Sequence, residues 1–191
     1  MDVVGNGNCE FWAAEVSMGQ SSNKWADIRR EMKNERMANP TYLDEVFLKN
    51  VWGDKYEKMI EALSWNGSGS APLDWWMTFP GHGYILADTY QRPVVLFSKN
   101  MSTTYLPISH PPTPHSPICL ILISDILHII SFSFKSELWP APTVDPSWKH
   151  YVKEVALPWL EWIQPNLEKG VQVLYPVKQR SSRLNKIFVI E

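Results

Sequence analysis

Pro117-Ile118-Cys119-Leu120-Ile121-Leu122-Ile123-Ser124-Asp125-Ile126-Leu127-His128-Ile129-Ile130-Ser131-Phe132-Ser133-Phe134 is the stretch that decides the fold. It is nearly long enough to cross a bilayer, which needs ~20 apolar residues in a helix. Asp125 and His128 stand in its middle, however, and ionisable groups are costly in hydrocarbon. β-Branched residues lie on both sides of Ser124-Asp125. The run therefore reads as two buried strands joined by a turn, and no membrane role follows from it.

Upstream, Pro93-Val94-Val95-Leu96-Phe97 and Thr103-Thr104-Tyr105-Leu106 read as another strand pair, separated by a polar turn at Lys99-Asn100. His110 to Pro117 is a proline-rich loop. Before the strands the period is helical. Cys9, Trp12, Ala13 and Val16 recur at three and four, and Gly19 can end that helix. Trp25, Ile28, Met32 and Met37 make the stripe of a second helix, capped by Asn23 and stopped by Pro40. Leu43, Val46 and Phe47 suggest a third, and Tyr56, Met59, Ile60 and Leu63 a fourth. Asn66 to Pro72 is a loop, Asp74 caps a short helix through Met77, and another short helix runs from Ile85 to Tyr90.

Downstream, Trp148, Tyr151, Val152, Val155 and Trp159 mark a closing helix that Pro158 should kink. Residues 164–191 read as a mildly basic tail. The expected architecture is α+β, a mostly antiparallel sheet flanked by helices.

Composition agrees with one globular domain: 191 residues, 45% hydrophobic and 20% charged, with 10 Trp. A formal charge of -2 leaves no electrostatic footprint for nucleic acid. Two cysteines far apart in sequence do not make a secreted disulfide framework. The first residues lack the basic-then-apolar layout of a signal peptide. The expected location is intracellular, cytoplasmic or nuclear.

Chemistry points to Cys9. It opens a helix, whose N-terminus favours a thiolate. The preceding Asn6-Gly7-Asn8 can aim backbone N–H groups at one point, as an oxyanion needs. The alternative is a small core residue, as most buried cysteines are. A nucleophilic cysteine wants an imidazole as base and acid. His110 and His115 lie in the proline-rich loop, His150 opens a helix facing water, and His82, between glycines, could line a site. His128 differs in sitting between apolar strands. Counting by twos, it shares a face with Ile130, Phe132 and Phe134, and that face is expected to pack inward. Cys119, inside Ile118-Cys119-Leu120, reads as core. Trp75-Trp76 reads as core or as an exposed aromatic wall. Neither a phosphate-binding glycine loop nor zinc-ligand spacing occurs.

With Cys9 and His128 in place, the chain resembles the ovarian-tumour (OTU) family of papain-like cysteine proteases, which remove ubiquitin from proteins. Asn6-Gly7-Asn8-Cys9-Glu10-Phe11-Trp12-Ala13 looks like that family's nucleophile motif. Trp25-Ala26-Asp27-Ile28-Arg29, Trp76-Met77, Gly83-Tyr84-Ile85-Leu86-Ala87, Arg92 to Leu96 and Ser102 to Pro107 follow in the family's order. His128-Ile129-Ile130-Ser131 falls at its histidine. The resemblance covers residues 2 to 163, so an OTU-like cysteine protease domain is expected over 1–163.

The resemblance implies an isopeptidase acting on ubiquitin or a ubiquitin-like modifier, without metal or cofactor. Cys9 would be nucleophile and His128 base, with Asn6 beside them. Backbone N–H groups of Asn6, Gly7 and Cys9 would form the oxyanion hole. Two positions depart from the pattern: Asn6 replaces an acid, and Ile130 stands where a polar residue orients the histidine. Leu127 likewise replaces a polar neighbour. The third triad member is left open among Asn6, Asp2 and Asp125. The motif also begins almost at Met1, as in a truncated or degenerate member. The alternative function is a weakened or inactive OTU-like domain that binds ubiquitin or another protein.

Overall fold

The computed structural model describes residues 6–20, 24–39, 56–67 and 69–174. Helices come first: α1 (Cys9–Ser17), α2 (Trp25–Ala38), α3 (Tyr56–Ala62) and α4 (Gly81–Tyr90). Four strands follow, β1 (Val94–Ser98), β2 (Thr103–Tyr105), β3 (Ile118–Ile123) and β4 (His128–Ser131). The chain then forms α5 (Trp148–Tyr151) and α6 (Trp159–Leu174). The class is α+β, a four-stranded sheet flanked by helices. The third helix expected around Leu43 to Phe47 and the caps Asn23 and Pro40 lie outside the described residues.

The sheet order is β2-β1-β3-β4. β1 pairs antiparallel with β2 and parallel with β3, and β3 pairs antiparallel with β4. The Pro117–Phe134 run is thus a hairpin, with Ile123 opposite His128 and the turn at residues 124–127. Leu127 takes a left-handed conformation there (φ 49°). No helix among the described residues is long and apolar enough to cross a membrane.

Both sheet edges are covered, which blocks edge-to-edge pairing. At β2, Thr104 accepts from the Asp145 N–H (3.0 Å) and donates its own N–H to Thr143 O (2.9 Å). At β4 the cover is α1. Phe132 N–H turns inward to Cys119 O. Alternation along the strand then turns the Ile129 and Ser131 amides outward. The Cys9 thiol meets the Ile129 amide, and Ser17 Oγ accepts the Cys119 N–H (2.7 Å) at the hairpin's other end. The helix therefore runs alongside β4, fastened near each terminus.

Several expectations need correction. The face of β4 that packs most deeply carries Ile129 and Ser131 (3% and 2% exposed), while His128 and Ile130 are half-buried. Counting by twos gives the two faces but not which one meets the core. The His128 side is partly closed by Phe97, Phe132, Phe134 and Trp139. Met37 is exposed rather than part of the α2 stripe. The helix expected from Ile85 begins at Gly81. The closing helix is two, with Pro158 in the turn before α6 rather than at a kink. Position 164 falls inside α6, which docks closely: Asn166 Oδ1 accepts the Trp139 N–H (2.8 Å), and Gly170 packs on Ala141.

Candidate active site

The corner at the start of α1 is built around one cation. Arg29 on α2 is buried (1% exposed) and spends its donors on three segments of chain. Nε and Nη2 both donate to Asn8 Oδ1 (3.1 and 2.8 Å), and Nη2 also donates to Gly7 O (3.2 Å). Nη1 reaches Ala62 O (2.6 Å) and Trp75 O (2.9 Å). Its guanidinium lies 3.9 Å from the Phe11 ring centroid, a cation–π geometry. Burial lowers its pKa to about 10, so it stays charged at neutral pH.

This explains an oddity at the helix start. Asn8 holds the N-cap position but makes no side-chain capping bond. Its Oδ1 is committed to Arg29, so the orphan N–H groups of the first turn serve other partners. The Cys9 N–H lies against its own thiol, and the Glu10 N–H against its own carboxylate. Gly7 adopts φ +71°, and a Cβ there would collide with Ala71 O and come within 2.5 Å of Trp76 Nε1. Only glycine fits.

Cys9 is 2% exposed. The Ile129 amide, at the start of β4, lies against its sulfur. Burial, and after it the charge of Glu10, push the thiol up to about 11. The low pKa expected of a cysteine at a helix N-terminus is thus not found, because desolvation and a carboxylate outweigh the helix dipole.

Asn6 is half-buried and serves the loop. Its Oδ1 accepts the Asn8 N–H (3.2 Å), and its carbonyl accepts the Ala71 N–H (2.9 Å). Asp125 is exposed on the hairpin turn, and Asp2 lies outside the described residues. Cys119 is core, with burial alone raising its thiol to about 12.

The other histidines divide differently from expectation. His82 lines no site but is buried in α4, accepting the Thr78 N–H at Nδ1 (2.7 Å) and donating from Nε2 to Met59 O (2.8 Å). Burial lowers its pKa to about 4, and it is neutral. His110 is half-buried and pairs with Asp88 (3.4 Å) rather than standing in solvent. His115 and His150 are exposed. Trp75 and Trp76 are half-buried; Trp76 Nε1 donates to Ala71 O (2.9 Å), and Trp75 stacks obliquely on Trp65. Among the described residues no His, Cys, Asp and Glu cluster could hold a metal ion.

Sequence reasoning missed Arg29 and Glu10. A signal for the first exists: Trp25, Arg29, Met32 and Arg36 recur at four, three and four, placing two cations on the inward side of α2. Both are buried. A charge on an apolar stripe announces a buried partner set.

No family model and no curated protein matches the chain. Among solved structures it is similar to the viral OTU domain protease from Dera Ghazi Khan virus, at 17% identity and a TM-score of 0.48, over 68% of this chain and 76% of that one.

Proposed function

We propose that the protein is a thiol-dependent isopeptidase acting on ubiquitin or a ubiquitin-like modifier. The observation that carries this reading is the meeting of two distant segments: the thiol that opens α1 receives the amide next to His128. Cys9 would attack the carbonyl at the modifier's C-terminal glycine. His128 would take the thiol proton and return it to the departing lysine amine. Backbone N–H groups of Asn6, Gly7 and Cys9 would hold the oxyanion, each donor worth ~3–4 kcal/mol in comparable sites. In this reading the domain spans 1–163 and the protein works inside the cell.

The test is a ubiquitin probe bearing a C-terminal electrophile. A covalent adduct at Cys9, absent in Cys9→Ala and weakened in His128→Ala, is the expected result. A folded protein that never forms it removes the enzymatic reading.

A second reading is favoured by the buried, high-pKa thiol and by Asn6: an OTU-like domain that binds ubiquitin or another protein without cleaving it. Loss of an orienting carboxylate can cost ~10⁴ in rate. Asn6→Asp should raise probe labelling if the site is only weakened. Unchanged labelling with ubiquitin binding intact favours the binder.

A further inference from the structure

The segment that covers β2 has an outer side of its own. Thr104 bonds the residues on either side of Val144, accepting the Asp145 N–H and donating its own N–H to Thr143 O. In such a parallel bridge the N–H and C=O of Val144 itself point away from β2. Neither has a hydrogen-bond partner among the described residues. α6 is fastened beside this segment, where the Ala141 N–H donates to Asn166 O (2.9 Å) and Gly170 packs with no room for a Cβ. Next to that contact lies an apolar recess of about 150 Å³, lined by Ala141, Thr143, Val144, Leu167 and Val171. Val171, at its rim, is 57% exposed.

An unused backbone donor and acceptor beside an apolar recess select one ligand chemistry, an extended peptide with bulky apolar side chains. Backbone bonds hold such a peptide, and the recess takes a side chain. The sequence carries one. Beyond Leu174 it continues through Lys178, Arg180, Arg183 and Lys186 among polar residues to Ile187-Phe188-Val189-Ile190. These four are residue types that favour strands, and Phe188 is the bulkiest. Residues 175–186 can reach up to ~40 Å. They follow a helix whose last turn already supplies Val171 to the recess. We propose that residues 187–190 dock in this groove as a strand added on Val144, with Phe188 in the recess. Tethering makes the event intramolecular, so two backbone bonds and one side chain suffice against untethered competitors. The inference is independent of the chemistry at Cys9.

Amide hydrogen exchange of the full chain, read residue by residue by NMR, tests it. The Val144 N–H should be protected in wild type. Phe188→Asp, which sends a charge toward the recess, should speed its exchange about tenfold or more, with the Val95 amide in the sheet centre unmoved. Val171→Asp, at a position exposed enough for the fold to accept a charge, should do the same from the groove side. No protection at Val144 in wild type, or protection unchanged in either folded variant, overturns the docking. Protection that persists on dilution supports a segment from the same chain. Protection lost on dilution hands the groove to a second copy and overturns the proposal.

Discussion

Arg29 and Asp88 each sit almost without solvent contact, and each holds a loop by its backbone. Arg29 grips Gly7, Asn8, Ala62 and Trp75 through neutral oxygens. Asp88, on α4, works with opposite sign: Oδ1 accepts the amides of Ile108 (2.8 Å) and Ser109 (2.9 Å) and the His110 ring (3.4 Å). Its Oδ2 has no partner. The difference is instructive. A cation whose donors all end on carbonyl and amide oxygens makes a clamp insensitive to mild pH change. An anion sharing one oxygen with a half-exposed imidazole makes a clamp with a titratable member.

The largest expected effect is at the first clamp. Arg29→Met takes a donor from Asn8 Oδ1 and from the carbonyls of Gly7, Ala62 and Trp75, and should cost about 4 kcal/mol in urea unfolding. A loss below about 1 kcal/mol would break the comparison, since the cation would then be ornamental. Asp88→Ala, which strands two amides, should cost about 3 kcal/mol in the same assay. If it costs more than Arg29→Met, the ranking of the two clamps is reversed. Gly7→Ala asks whether the first clamp needs its loop as well as its cation. A positive φ and a blocked Cβ predict a loss of about 2 kcal/mol together with slower Cys9 alkylation.

The smallest effect is the pH dependence of the second clamp. The hydrogen bond to Asp88 raises the folded His110 pKa above its ordinary 6.5, against the opposing effect of burial. Protonated His110 therefore stabilises the fold fully below that ordinary value, and the contribution fades as pH rises through the higher folded one. The gap in melting temperature between wild type and His110→Gln should be widest in mild acid and close in mild alkali. A gap that ignores pH removes His110 from the clamp.

The hairpin was legible in the sequence because β-branched residues flank a polar break, and two ionisable residues argue against lipid. The start of α1 was legible because Gly7 and two asparagines precede a helical period. The face of β4 was not, since alternation fixes parity and only the packing of α1 decides which parity is deep. Arg29 and His82 were hidden for another reason. Their partners, at Gly7, Asn8, Ala62, Trp75 and Met59, are distant in sequence, and a backbone carbonyl leaves no mark on composition. The length of α6 was masked by Pro158 and Pro165, two residues that ordinarily argue against continuation. The thiol's high pKa depends on burial and on where Glu10 points, neither of which has a local signature.

The two fastenings of α1 to the hairpin, at Ile129 on β4 and at Cys119 on β3, make a vernier of helix and strand. A helix advances ~1.5 Å per residue and turns roughly 100°, while a strand advances ~3.3 Å and flips. Losing one residue between Cys9 and Ser17 would swing the sulfur away from the Ile129 amide. Slipping β4 by one would send His128 to the opposite side of the sheet. Neither error can be repaired by a matching error in the other scale, because the graduations share no common step. Insertions should therefore be tolerated in the 124–127 turn, and single-residue changes of length refused within either scale.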